Sequence, residues 1–178
     1  AGEVALEREI GDVHRHHHRR RPSRPRRRYA VSMTARTIVI CGSPTALGGH
    51  FGGMERAPTL LRGLGLRDRL AARPGLADMT WLDHGDAAND PGWVADPHPR
   101  AKNLDRLVAY LGRLAAHVES GLEQSGNEAS ALLALGGDCT THAGAMAGIR
   151  RARPGIQLGL AWFDAHGDFN TPDTTPSG

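Results

Sequence analysis

The richest chemistry in this chain is packed into five residues, Asp164-Ala165-His166-Gly167-Asp168. Asp164, His166 and Asp168 are spaced i, i+2, i+4, which puts all three on one side of an extended chain. Carboxylate oxygens suit hard divalent metals, and imidazole suits borderline transition ions. Fully extended, the two carboxylates would stand roughly 13 Å apart at about 3.3 Å per residue, too far for one ion. Either the chain curls after Phe163, with Gly167 supplying the freedom, or the ligands share two neighbouring ions. The bland alternative is a set of ordinary loop polars after a buried strand. Three potential ligands in five residues argue against it.

A second cluster, Gly136-Gly137-Asp138-Cys139-Thr140-Thr141-His142, places acidic and soft donors at the start of a helix. Cys139 is a candidate metal ligand there. His142, close to one helical turn further on, could take its place. The alternative is that Asp138 caps the helix and Cys139 fills space as a small buried apolar residue. A third cluster is Asp83-His84-Gly85-Asp86.

The elements that must carry these clusters alternate between strand and helix. Thr37-Ile38-Val39-Ile40-Cys41 is an apolar, β-rich run closed by Gly42, the pattern of a buried strand. A glycine-rich loop, Gly48 to Gly53, precedes a helix over Ala57 to Arg62 with Pro58 in its first turn. Met79-Thr80-Trp81-Leu82 is a short second strand, and residues 87–99 form a polar loop. Leu104, Leu107, Val108, Leu111, Leu114, Ala115 and Val118 recur at spacings of three and four, which predicts a helix from about Lys102 to Glu123. Ala131 to Leu135 is a third strand, a helix follows through Ala143 to Arg151, and Gln157 to Phe163 is a fourth strand. Such alternation implies a doubly wound α/β parallel sheet with helices on both faces, in three layers. Sites in such sheets form at the carboxyl ends of strands, where all three polar clusters lie.

Composition bounds the rest. Residues 1–32 hold nine arginines against four acidic residues, a net of +5. The whole chain is +3, which leaves −2 for residues 33–178. The basic character therefore belongs to the leader, residues 1–35, expected to be disordered, with Met33 a plausible start. Arginine outnumbers lysine 21 to 1, so composition alone inflates arginine runs. Only Tyr29 interrupts the run with an aromatic, so a nucleic-acid partner is not expected. No run of 18 apolar residues occurs and no signal peptide is visible, which excludes a membrane-spanning helix and makes the cytoplasm the default compartment. Two cysteines, Cys41 and Cys139, suggest no disulfide framework. Ala1 in place of Met, and an end at Ser177-Gly178 just after the richest motif, read as a fragment at both ends.

Taken together, these segments resemble the arginase, agmatinase and ureohydrolase family. Gly136-Gly137-Asp138-Cys139 is similar to that family's Gly-Gly-Asp-His motif. Asp164-Ala165-His166-Gly167-Asp168 is similar to its Asp-Ala-His-x-Asp motif, and Gly52-Gly53-Met54-Glu55-Arg56-Ala57-Pro58 resembles its early glycine loop. Asn170-Thr171-Pro172 and Ser177-Gly178 resemble the arginase branch. The resemblance covers residues 36–178, the N-terminal part of a ureohydrolase domain cut after about four strands. It implies two divalent ions, usually manganese, with Asp164 bridging them, His166 on one and Asp168 on the other. It also implies that Asn170, Ser177 and Gly178 hold the substrate's amino-acid end. The implied reaction is hydrolysis of a guanidino C–N bond by a metal-bridging hydroxide. The implied partner is a small guanidino substrate, and the full-length protein is expected to be a homo-oligomer.

Cys139 departs from the pattern, standing where the family has a metal-binding histidine. A thiolate is softer than imidazole and favours zinc or iron. The family's later Asp-x-Asp ligand pair and its acid/base residue are not within these residues, so the fragment alone is expected to be inactive. Three functions compete: a two-metal hydrolase, a non-catalytic ureohydrolase-like protein with a degenerate metal site, and, resting on the leader alone, a nucleic-acid-binding module.

Overall fold

The computed structural model describes residues 36–88, 103–126, 129–167, 171, 173 and 174. The arginine-rich leader and most of the proline-rich stretch before the long helix lie outside the described residues. β1 spans Thr37–Ser43, β2 Thr80–Asp86 and β3 Ala131–Gly136. They form one parallel sheet in the order β2-β1-β3. The β-branched run Thr37 to Ile40 fits the central position, where both faces of a strand are covered.

Side chains of β1 alternate between two helical layers. Val39 and Cys41 are fully buried and pack with Tyr110, Leu114, Val118 and Leu122 of α3 (Leu104–Gln124). Leu82 and Leu132, the ladder partners of Val39, join the same cluster. Ile40 faces the other way and lines a cleft with Arg62 of α1 (Ala57–Gly63), Leu66 and Asp68 of α2 (Leu66–Ala71), and Leu135. Helices therefore cover both faces, giving the three-layer α/β arrangement expected. No helix among the described residues is long and apolar enough to cross a membrane.

The last helix, α4 (Thr141–Ala152), packs against α3 at close range. A Cβ on Gly144 would stand 2.6 Å from Leu114 Cδ2, and one on Gly148 would stand 2.6 Å from the Ala115 carbonyl oxygen. The glycines, four residues apart, are what let the two backbones approach.

Three features differ from expectation. The cluster Asp83 to Asp86 belongs to β2 itself, which runs through Asp86. The short α2 follows α1 directly, and its six residues carry too few apolar positions to show a helical stripe in the sequence. Residues 157–163 form no strand, so the described sheet has three strands, not four. An apolar run becomes a strand only when another backbone takes its N–H and C=O groups, and this one has no ladder partner among the described residues. Leu160 (57% exposed) and Phe163 (95%) face out accordingly.

The buried stripe of α3 is also rotated from its aliphatic pattern. Leu104 and Val108 are exposed, while Tyr110, absent from that pattern, is fully buried. Its hydroxyl lies 3.1 Å from Ser43 Oγ, which accepts from Thr141 Oγ1 at 3.0 Å. This chain of three buried hydroxyls joins α3, the end of β1 and the start of α4. It satisfies polar atoms that would each be costly to bury alone. Beside it the turn after β3 presses onto the loop after β1: a Cβ on Gly137 would lie 1.8 Å from the Thr45 carbonyl oxygen. Gly137→Ala should therefore lower the unfolding free energy by about 2 kcal/mol or more through forced backbone displacement. Gly155→Ala, where a Cβ meets nothing within 4 Å, should be nearly neutral. Chemical denaturation of both variants checks this.

Candidate metal centre

Two segments build the site: the turn between β3 and α4, and the stretch that follows α4. Within the turn, Asp138 is taken up by structure. Its Oδ2 accepts the Gly48 N–H at 3.0 Å, and its Oδ1 accepts the Thr140 N–H at 3.0 Å together with the Thr140 hydroxyl. One carboxylate thus ties the glycine-rich loop to the turn before α4; the N-cap itself is Thr140, not Asp138 as the capping alternative had it. Cys139 is not the buried space-filler of that reading, because its side chain is exposed. Cys41, by contrast, is fully buried, and burial pushes its thiol up to about 12.

Asp164 receives Cys139 and His166 on different oxygens. The Cys139 thiol lies 3.8 Å from Oδ2. The His166 backbone N–H donates to Oδ1 at 2.9 Å, and its Nδ1 lies 3.2 Å from the same oxygen. That backbone N–H, with the imidazole behind it, holds the Asp164 carboxyl below the usual carboxylate range. The carboxylate side chain is 21% exposed and the imidazole 84%, so the histidine is the outer member of the pair. The chain bends at Ala165-His166, just after Phe163 and Asp164.

His142 does not join Asp164. Its Nδ1 lies 3.0 Å from the Cys139 carbonyl oxygen, and its ring stacks on Trp162 with centroids 4.4 Å apart at 47°. Asp168, Asn170, Ser177 and Gly178 lie outside the described residues. Among the described residues, no group of three or more His, Cys, Asp or Glu side chains is arranged to hold a metal ion. What does converge there is one carboxylate with a thiol toward one oxygen and an imidazole toward the other, side chains of the donor types that bind borderline divalent ions.

The third polar cluster has a different task. Arg62 donates Nε to Asp83 Oδ2 at 2.8 Å and Nη2 to Asp83 Oδ1 at 2.9 Å, and its Nη1 pairs with Asp86. His84 lies between Gln124, with Nδ1 2.8 Å from Oε1, and the ring of His117, 4.5 Å away by centroid. These contacts lock β2 to α1 and α3 and supply nothing to Asp164. Neither the pairing of Arg62 with Asp83, 21 residues apart in the chain, nor the contact of His142 with Trp162 leaves a signal in residue spacing.

A three-layer α/β protein with oxygen, nitrogen and sulfur donors gathered beyond the carboxyl end of β3 is the class that fold and site define. This chain belongs to the arginase family: a model of the Arginase family matches residues 36–178. Arginase-1 of Homo sapiens is 33% identical over 149 residues, which cover 83% of this chain and 43% of that protein. The arginase of Bacillus subtilis is 34% identical over 145 residues, covering 80% of this chain and 45% of its own length. The crystal structure of a Bacillus subtilis arginase aligns with TM-score 0.61 at 32% identity, over 80% of this chain and 42% of that one. An Entamoeba histolytica arginase in complex with L-ornithine aligns with TM-score 0.63 at 25% identity, over 83% and 46%. The chain thus spans less than half the length of these relatives.

The Arg62 pair makes a pH prediction. Its guanidinium, bonded through two nitrogens, holds the Asp83 carboxyl below its ordinary range. A depressed carboxyl stabilises the fold above the unfolded pKa and loses that contribution as pH falls through the folded pKa. These side chains are roughly one third exposed, so solvent screening limits the effect to about 1 kcal/mol. Arg62→Met should lower stability at neutral pH by that amount, and the gap to wild type should close below about pH 3. Denaturation curves across pH check it.

Proposed function

We propose that the full-length protein is an arginase-like amidinohydrolase that adds water to a guanidino carbon and releases urea and an amine. The observation that carries this reading is the convergence of Cys139 and His166 on opposite oxygens of Asp164, in a chain of the arginase family. Asp164, His166, Asp168 and Cys139 would hold two divalent ions, manganese being the family's usual metal. Such a pair, when bound, lowers the pKa of a shared water to give a nucleophile at neutral pH.

The protein's own residues would bind and orient. The His166 N–H would help to orient the Asp164 carboxylate, and the His166 imidazole would turn from Asp164 Oδ1 toward an ion. Asn170, Ser177 and Gly178 would hold the α-carboxylate and amine of an amino-acid substrate. The L-ornithine held by the Entamoeba histolytica arginase, itself an α-amino acid, supports a substrate with such an end. The same reading makes the protein a cytoplasmic homo-oligomer with no membrane or nucleic-acid partner.

A second reading, a ureohydrolase-like protein without catalysis, is favoured by Cys139, whose thiol differs in softness and geometry from the family's imidazole. The purified full-length protein separates the two when assayed for bound manganese or zinc and for urea release from L-arginine and from agmatine. Bound metal with urea release supports the hydrolase. No turnover of any guanidine, with metal bound or absent, supports the second reading and contradicts the hydrolase.

Within the hydrolase reading, Cys139→His should raise manganese affinity and manganese-dependent turnover relative to zinc, because imidazole replaces a softer thiolate. Equilibrium dialysis against each metal, with parallel rate measurements, checks this. Unchanged occupancy for both metals would remove Cys139 from the ligand set.

A further inference from the structure

Residues 157–163 have no ladder partner among the described residues, yet Asp164 at their end lies against Cys139. Two contacts run side by side between this segment and the start of α4. One joins Cys139 to Asp164 at 3.8 Å, and the other joins the rings of His142 and Trp162 at 4.4 Å. Trp162 and Asp164 are two apart in the chain, so one short segment carries both contacts. Cys139 lies in the turn before α4 and His142 in its first turn, where the His142 backbone N–H reaches the Cys139 carbonyl at 3.3 Å. A third bond ties the two contacts together, as His142 Nδ1–H donates to the Cys139 carbonyl at 3.0 Å.

We propose that His142 is a positioning residue that clasps the Cys139 turn and the Asp164 segment together through Trp162. This rests on the reading that Cys139 and Asp164 share a metal centre. The imidazole uses two different parts of itself. The Nδ1–H fixes the carbonyl of the candidate ligand Cys139, and the ring face holds the residue two before the candidate bridge Asp164. Donation from Nδ1 also sets the tautomer and the ring's rotation. The clasp therefore preorganises the donors and reduces what must be ordered when an ion binds. It also explains why His142, with donor chemistry of its own, stands apart from Asp164.

The test uses the full-length protein with three substitutions. His142→Ala removes both contacts, His142→Phe keeps the ring, and His142→Asn keeps an N–H donor. Chelator competition for zinc and for manganese reads affinity. The expected result is a loss of about tenfold or more in His142→Ala, in the range of outer-shell partners, with part of it recovered in His142→Phe and in His142→Asn. A metal-free arm alkylates the protein with iodoacetamide. Cys139 should react severalfold faster in His142→Ala, where the Asp164 segment is no longer held against its thiol, while buried Cys41 stays unreacted in every variant. Unchanged affinity and unchanged alkylation would overturn the proposal. So would equal affinity losses in all three variants, which would mark His142 as a ligand. A lowered melting temperature without change in either readout would mark it as merely structural and overturn the proposal as well. If wild type binds no metal, the hydrolase reading fails, and the alkylation arm still decides the role of His142.

Discussion

The turn after β3 and the loop after β1 touch backbone to backbone, and the candidate site is assembled on that contact. Gly137 admits the Thr45 carbonyl where a Cβ would lie 1.8 Å away. The Tyr110, Ser43 and Thr141 hydroxyls close the same corner from inside, and Asp138 closes it from outside through Gly48. With the corner fixed, the entry to α4 has one orientation and Cys139 faces out at the carboxyl end of β3. A looser corner would leave Cys139 and Asp164 on segments that move independently. The packing of α3 on α4 through Gly144 and Gly148 then sets where α4 runs.

The site built on this corner is asymmetric. Asp164 has a rigid side, where the His166 N–H binds Oδ1 at 2.9 Å, and a soft side, where a thiol approaches Oδ2 at 3.8 Å. A carboxylate held by a backbone N–H stays ionised over the whole neutral range, as a bridging ligand must. The division also separates roles among neighbouring residues that look alike on paper. Asp138, one residue before Cys139, is consumed in holding the turn, while Asp83 and Asp86 are consumed by Arg62. Asp164 meets neither demand: its contacts are the His166 N–H and imidazole and the Cys139 thiol.

Much of this was readable in the sequence, for identifiable reasons. β1 and β3 are short, continuous apolar runs, and burial on both faces writes that pattern directly. Three donors in five residues single out the Asp164 motif, and the reach of an extended chain leaves a curl or two shared ions open there. What stayed hidden depended on partners distant in sequence. Tyr110 is buried beside Ser43, 67 residues away, whose hydroxyl shares a hydrogen bond with its own, and no periodicity of aliphatic residues reports that. Asp83 looked like site chemistry until Arg62 was seen beside it. Residues 157–163 read as a strand because apolar runs usually find a ladder, and here the described residues contain none. α2 was missed because six residues opening after Gly65 and carrying Arg67, Asp68 and Arg69 resemble a loop. For Asp168, Asn170, Ser177 and Gly178 the sequence remains the ground of the reading.

The central claim is that Asp164 bridges two ions with Cys139 on one of them. X-ray absorption at the metal edge of the zinc- or cobalt-loaded full-length protein tests it most directly. The account predicts a sulfur neighbour at about 2.3 Å that disappears in Cys139→Ser, together with a metal neighbour at roughly 3.5 Å. A spectrum with only oxygen and nitrogen neighbours and no metal–metal scattering would contradict it.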